Sequence, residues 1–473
     1  MCRGSGCCAP WQMRERTLRS LIDAPRWLFL VTLIYAPWAY GCTGVRAINL
    51  LSILTWLTVG TWLLGCLVRR VAPRVSPIAL GAVVLLLCLG WGMAGNAHSR
   101  YMPTSVQFTP IRPLVAFAPG GIDGAASLSA MAPITGILSV LLFVSEFSRR
   151  AEWRRRLWWT IGLTGASVVF LGLFQRASGI PLMFPYADQA RSMFFGPYSY
   201  HGNAGSFINL VVPAIAGLLL LSVRKAVDDF GRLIWVPSLL MALVAAGLCF
   251  SRMALVITAL ISLALWCWAM RHLPRTVVRW QIWLYPALAV LAIVGVTASI
   301  GWAPMWEKWR ILGSQLNAEN PRWQVSSVAW RMVGDSGAFG FGAGTFALAF
   351  PHYMKASGVM IPGIWRYAQQ DYLETVIEWG WLGAAAWLVL CAGALICAVR
   401  AIRSGKLDLA DRTLVFVSIV ALAGVALHSL VDYPLQIASL QLYVATYLGM
   451  CWGSPRWIRD AVETEESKSR REE

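Results

Sequence analysis

Arginines and carboxylates at the edges of apolar runs are the residues whose type and spacing could do chemistry. Ser251-Arg252 falls between two such runs with almost no loop, which sets a guanidinium at a membrane boundary, where it is costly unless it snorkels or pairs. One reading is an interfacial snorkelling side chain. The other is an anion clamp, because the guanidinium offers a fork of donors matched to phosphate. Arg322 and Arg331 flank Trp323 to Val333, in which Val325, Val328 and Met332 share one face at helical spacing; such a helix is expected to lie on the membrane surface. The run from Gln369 to Gly383 places Asp371, Glu374 and Glu378 within about two helical turns. Glu374 and Glu378 share a face, and an acid that close to hydrocarbon is either functional or structurally paired. Gly340-Phe341-Gly342-Ala343-Gly344-Thr345 has the glycine spacing of a nucleotide loop but no preceding strand and no βαβ context. Its glycines are expected to permit a tight backbone bend close to a ligand. In the turn from His428 to Leu435, Asp432 is expected to cap the following helix, with Pro434 in its first turn.

The elements that must position these residues are membrane helices. The chain is 58% hydrophobic and only 13% charged, with mean hydropathy +0.59, and a soluble fold of its 473 residues would expose much of that surface. From Ala79 to Gly95 the apolar residues fall on every side of a helix, so lipid is the natural solvent. At ~20 residues per crossing, about twelve spans are expected, near 27–44, 47–68, 77–95, 128–146, 157–174, 206–223, 233–250, 253–270, 282–301, 376–398, 413–431 and 434–452. The fold class is therefore all-α, a polytopic integral membrane protein with a large outer loop between the ninth and tenth helices. The first run follows Arg14, Arg16, Arg19 and Arg26 and lacks a small-residue cleavage site, which fits a retained signal anchor.

A formal net charge of +17 would suggest nucleic acid in a soluble protein. Here the Lys and Arg sit mostly in short connections on one side: at the N-terminus, at Arg69, Arg70 and Arg74, from Arg149 to Arg156, around Arg224 and Arg271, from Arg400 to Arg412, and in the tail. This asymmetry places both termini in the cytoplasm and removes the case for a nucleic-acid partner. Of the 11 cysteines, none form a pair within one outer loop, so no disulfide framework is expected. Two outer segments are longer than simple connectors, 96–127 and 302–375. The expected organisation is a cytoplasmic segment 1–26, five helices with their loops over 27–205, a second membrane region 206–453 containing the loop 302–375, and a disordered cytoplasmic tail 454–473.

Together these segments resemble the O-antigen ligase and polymerase family of bacterial membrane glycosyltransferases, from about Phe195 to Gly449. Phe195-Gly196-Pro197 with Asn203-Ala204-Gly205 is similar to the family's segment ahead of a span, and Ser251-Arg252 to its Ser-Arg pair. Arg322, Asp335 and Phe339-Gly340-Phe341-Gly342 resemble its Arg-to-Gly-x-Gly stretch. Gln370 lies nine residues before Gly380-x-x-Gly383, as in the family's His-(Asn/Ser/Gln)-x9-Gly-x-x-Gly pattern, and Asp432-Tyr433-Pro434-Leu435 resembles its last signature. The resemblance implies transfer of a glycan from an undecaprenyl-pyrophosphate carrier to an acceptor such as lipid A-core, on the periplasmic face of the bacterial inner membrane, with no metal or other cofactor. It assigns the pyrophosphate to Arg252 and Arg322, with Arg191 and Arg331 next, and support to Asn203, Tyr372, Glu378 and Asp432. The family's general base is a histidine, and Gln369 occupies that position. An amide cannot take a proton, so Asp371, Glu374, Glu378 and His352 are the candidate substitutes, or Gln369 only orients the acceptor. A repeat-unit polymerase of the same family, a transporter and a non-catalytic descendant are the alternative functions.

Overall fold

The computed structural model describes residues 10–105, 107–180, 182–183, 194–224, 229–272, 290, 294–295, 306–307, 309–310 and 320–472; in the terminal helices, side chains are described from residue 23 and as far as residue 457. Helices α1 (Pro10–Trp38), α2 (Val45–Val68) and α3 (Pro77–Gly95) lead to a two-stranded antiparallel hairpin, β1 (Ser99–Met102) and β2 (Gln107–Pro110), with Ser99 opposite Pro110. Asp123 then starts α4 (Gly124–Phe147), its carboxylate accepting from the Ala126 and Tyr101 amides, both at 2.7 Å, so one side chain caps the helix and pins the hairpin. Helices α5 (Ala151–Ser178), α6 (His201–Arg224), α7 (Asp229–Leu248) and α8 (Arg252–His272) follow. Beyond them come α9 (Pro321–Ser336), α10 (Phe346–Ala356), α11 (Asp371–Arg403), α12 (Leu409–His428) and α13 (Ala438–Glu472).

Among the described residues, nine helices are long and apolar enough to cross a membrane, α2 to α8 with α11 and α12. The all-α polytopic class therefore stands. Helices α1 and α13 occupy the first and last expected spans and are not among these nine, and the ninth span near 282–301 lies almost wholly outside the described residues. The polarity of α13 has a packing reason: Ser439, Tyr443, Thr446 and Tyr447 are fully buried against protein, and the Tyr443 and Tyr447 hydroxyls donate to the carbonyls of Leu33 (3.1 Å) and Leu210 (2.7 Å). The tail expected to be disordered continues α13 as helix to Glu472, as its Glu, Lys and Arg content allows. Helix α6 is the pillar of the bundle, with 72% of its apolar window buried against α5, α7, α8 and α12, whereas α8 has 22% buried.

A second, smaller core stands at one end. Val325, Val328, Ala329 and Met332 of α9 pack with Phe346 and Phe350 of α10 and with Leu373 and Ile377 of α11. The apolar face read from the sequence is real, but it is covered by protein, and Trp323 and Trp330 remain on the outside.

This cap is tied to the bundle through a break in α11. Gly380 leaves the helical conformation at φ 62°, ψ −176°, which frees carbonyls and amides that lipid could not satisfy. The segment 337–342 fills the gap. Phe341 and Gly342 donate to the carbonyls of Ile377 and Glu378, both at 2.9 Å, while Trp381 and Leu382 donate to those of Gly337 (3.2 Å) and Ala338 (3.0 Å). The Gly340 bend therefore closely approaches another backbone. A Cβ at Gly380 would be driven into the Ala338 carbonyl and the Gly340 amide, and one at Gly340 into the Glu378 carbonyl. Beyond the break, Trp381–Arg403 is ~34 Å long at ~1.5 Å per residue, enough to cross a hydrocarbon core of ~30 Å by itself. Asp371 to Trp379 thus belongs to the cap end. Gly380→Ala combines a left-handed backbone with a backbone clash, and a loss of about 2–3 kcal/mol is expected. Gly81→Ala, facing open space in α3, should leave the thermal melting temperature in detergent unchanged or slightly raised.

Candidate functional site at the cap end of the bundle

Local turns deliver the candidate residues to one place. Before α6, Phe195 and Tyr198 form a reciprocal backbone bridge at 3.0 and 3.2 Å across Gly196-Pro197, and the buried Tyr198 hydroxyl meets Ser439 at 3.3 Å. That turn projects Tyr200 above the first turn of α6. Ser251 starts α8 by accepting from the Ala254 amide at 3.3 Å, which puts half-buried Arg252 in the first helical turn. Asn320 starts α9 by accepting from the Arg322 amide at 2.9 Å. Arg322 itself is exposed, and its Nη2 donates to the Tyr200 hydroxyl at 2.8 Å. Arg252 and Arg322, from two different elements, lie within Coulombic reach of one another.

The charge of Arg322 is answered through a short chain. Tyr200 donates to Asp432 Oδ2 at 3.2 Å, so the phenol accepts from the arginine and donates to the acid. Burial, then the neighbouring Asp432 carboxylate, holds the Tyr200 hydroxyl well above its usual pKa, which keeps that proton in place. Desolvation works against the Arg322 charge, but Tyr200 and Asp432 outweigh it and leave its pKa above the ordinary arginine value. Behind Asp432, His428 Nε2 stands at 3.8 Å, beyond hydrogen-bond length. Its Nδ1 is 2.8 Å from the Ser206 hydroxyl, which also donates to the Gly202 carbonyl at 3.1 Å. Three rings stack beside this chain, Tyr200 on Tyr433 at 5.6 Å and Tyr433 on Tyr367 at 4.6 Å. Burial raises the Tyr433 and Tyr367 hydroxyls as well.

The carboxylates that looked chemical are held by backbone amides. Asp371, 1% exposed, accepts from Leu435 N at 2.9 Å and Gln436 Nε2 at 3.4 Å, while its own amide donates to the Ser429 carbonyl. Glu374 accepts from Ala368 N at 2.7 Å. Glu378 accepts from Phe346 N at 3.0 Å, with the Gly344 and Thr345 amides also bonded to it, so it caps α10 from a different helix. Each acid ties another stretch of chain to α11: Asp371 the turn before α13, Glu374 the segment just ahead of α11, and Glu378 the start of α10.

The other sequence candidates separate cleanly. Gln369 is half-buried in a left-handed conformation, φ 59°, which is strained for a residue with a Cβ. Asn203 is buried in the first turn of α6. Tyr372 points away, its hydroxyl donating to the Ala426 carbonyl at 2.7 Å. Arg331 is exposed, and nine residues along α9 at ~100° each puts it on the side opposite Arg322. Arg191 lies outside the described residues. Asp432 does not cap the next helix: the Pro434–Gln436 turn has Tyr433 before it without a side-chain cap, and Asp432 turns instead to Tyr200. Tyr200, Ser206 and the three-ring stack were missed, because nothing in sequence spacing reports contacts between positions so far apart in the chain, from Tyr367 with Tyr433 to Tyr200 with Asp432. The clustering of Tyr198, Tyr200 and His201 beside Asn203 was the available signal.

No protein-family model and no curated protein matches this chain.

Glu378→Ala removes the acceptor for the first amides of α10 and should destabilise that helix by about 1–2 kcal/mol. Hydrogen exchange at residues 345–349 should accelerate about tenfold while amides inside α6 keep their protection; Glu378→Gln, which retains an oxygen acceptor, should lie between.

Proposed function

We propose that the chain is a membrane glycosyltransferase that moves a glycan from an undecaprenyl-pyrophosphate carrier to an acceptor sugar on the outer face of the bacterial inner membrane, with both termini in the cytoplasm. The observation that carries this reading is the convergence of Arg252 and Arg322 at one end of the bundle. Each guanidinium carries several donors in a planar fork, and a diphosphate accepts from both. In the transfer, the acceptor hydroxyl oxygen bonds to the anomeric carbon of the donor while the bond from that carbon to the pyrophosphate oxygen breaks. The electron pair leaves with undecaprenyl pyrophosphate, and the two fixed guanidiniums stabilise the charge that develops there.

Asp371, Glu374 and Glu378 each already serve backbone donors, so Gln369 is assigned to orienting the acceptor hydroxyl, whose proton passes to solvent as the leaving group departs. Asp432 and Tyr200 act on Arg322 as positioning residues. A transporter is less well supported, since it calls for broken helices at the membrane midplane. The break at Gly380 leaves a full-length span beyond it.

The reading is tested with purified protein, an undecaprenyl-pyrophosphate-linked oligosaccharide and lipid A-core. Arg252→Ala and Arg322→Ala should each reduce transfer by about 10²-fold, with lysine restoring part of it. Arg331→Ala should stay within about twofold, and Gln369→Ala should lose about tenfold. Transfer unchanged in both Arg252→Ala and Arg322→Ala would refute the proposal. Replacing lipid A-core by a second lipid-linked repeat unit separates a ligase from a polymerase.

A further inference from the structure

The end of the bundle opposite Arg322 holds a cavity of about 400 Å³ between Pro25 and Arg26 of α1, the ends of α2 and α4 and the turns that follow those two helices. Arg26, Arg69, Arg74, Arg149 and Arg150 line it, and Glu146 is the one carboxylate in the lining. That acid accepts from the backbone amide of Arg74 at 3.1 Å. Arg26 is held by Asp23 at 2.7 Å, and Arg69 Nε donates to the Gly65 carbonyl at 2.8 Å, which fixes both stems beside the opening. Arg26 is also within Coulombic reach of Arg150 and Arg69. Trp62, Phe143 and Phe147 supply an apolar wall. Guanidiniums gathered round one opening repel one another, an arrangement that an anion stabilises.

The surface next to the cavity says what kind of anion. Trp62, Gly65 and Arg69 turn one face of α2 to the cavity, while Leu63, Leu64, Leu67 and Val68, 47%, 51%, 74% and 52% exposed, turn the opposite face of the same helix end to the hydrocarbon, so the cavity lies at the membrane boundary. Trp27, 52% exposed, sits beside the opening as an interfacial aromatic does. We propose that this cavity binds the phosphodiester headgroup of an anionic phospholipid. Arginines between membrane helices on the basic side of a protein are suited to this ligand. The site is separate from the Arg252–Arg322 pair and does not depend on the function assigned to that pair.

Native mass spectrometry and thermal melting of the detergent-solubilised full chain test it, with phosphatidylglycerol, phosphatidylcholine and inorganic phosphate as the probes. Phosphatidylglycerol should remain bound at one equivalent and raise the melting temperature, whereas phosphatidylcholine and inorganic phosphate should do neither. The double variant R74Q/R150Q should weaken phosphatidylglycerol binding at least tenfold while melting like the parent without lipid. Should that variant melt early, R74Q alone is read in the same way, with a smaller loss expected. Equal retention of the two phospholipids, or parental affinity in the variants, would overturn the proposal. Full stabilisation by inorganic phosphate would overturn the lipid assignment in favour of a free anion.

Discussion

The exchange of backbone hydrogen bonds across the break in α11 is the constraint on which the cap end of this protein depends. A helix entering a membrane cannot leave peptide groups unpaired, yet at Gly380 the chain interrupts its own ladder. Segment 337–342 arrives from the far end of α9 and supplies both the missing donors and the missing acceptors. Because the same segment continues directly from α9, the repair also fixes where α9 lies, and hence where Arg322 meets Tyr200. Two glycines face each other at this crossing because any larger residue on either side would hold the strands apart.

The acids at the start of α11 follow the same logic. Carboxylates are strong acceptors, and at a crowded membrane edge they are surrounded by orphan amides from loop and helix starts. Asp371, Glu374 and Glu378 each bind such amides and so attach three separate pieces of chain to one helix. The guanidiniums of Arg252 and Arg322 stand near one another at the same end. Their mutual repulsion is moderated on one side by Asp432, reached through a phenol that both accepts and donates.

Much of this was legible beforehand. Hydropathy alone locates the helices from α2 to α8, and the spacing of Val325, Val328 and Met332 identifies the buried face of α9. Periodicity reports a face, however, and not what covers it, so the cover turned out to be α10 and α11 rather than lipid. The glycines of 340–344 announced a close approach without revealing its partner. Helix α13 is harder to weigh by composition, because a helix enclosed by protein tolerates hydroxyls that one facing lipid does not. Asp432 was misread for a related reason: its position before Pro434 fits a cap, while its partner Tyr200 lies far away in the chain.

The two cores have a consequence for how the molecule comes apart. The bundle core around α6 is solvated by lipid or detergent, and the core of α9, α10 and the start of α11 is closed off from water by its own side chains. Denaturants that act by solvating peptide groups reach the second far more readily than the first. The chain therefore contains two cooperative units of unequal resistance joined at one crossing, and its loss of structure need not follow a single two-state transition. The unit that yields first is the one that carries Arg322.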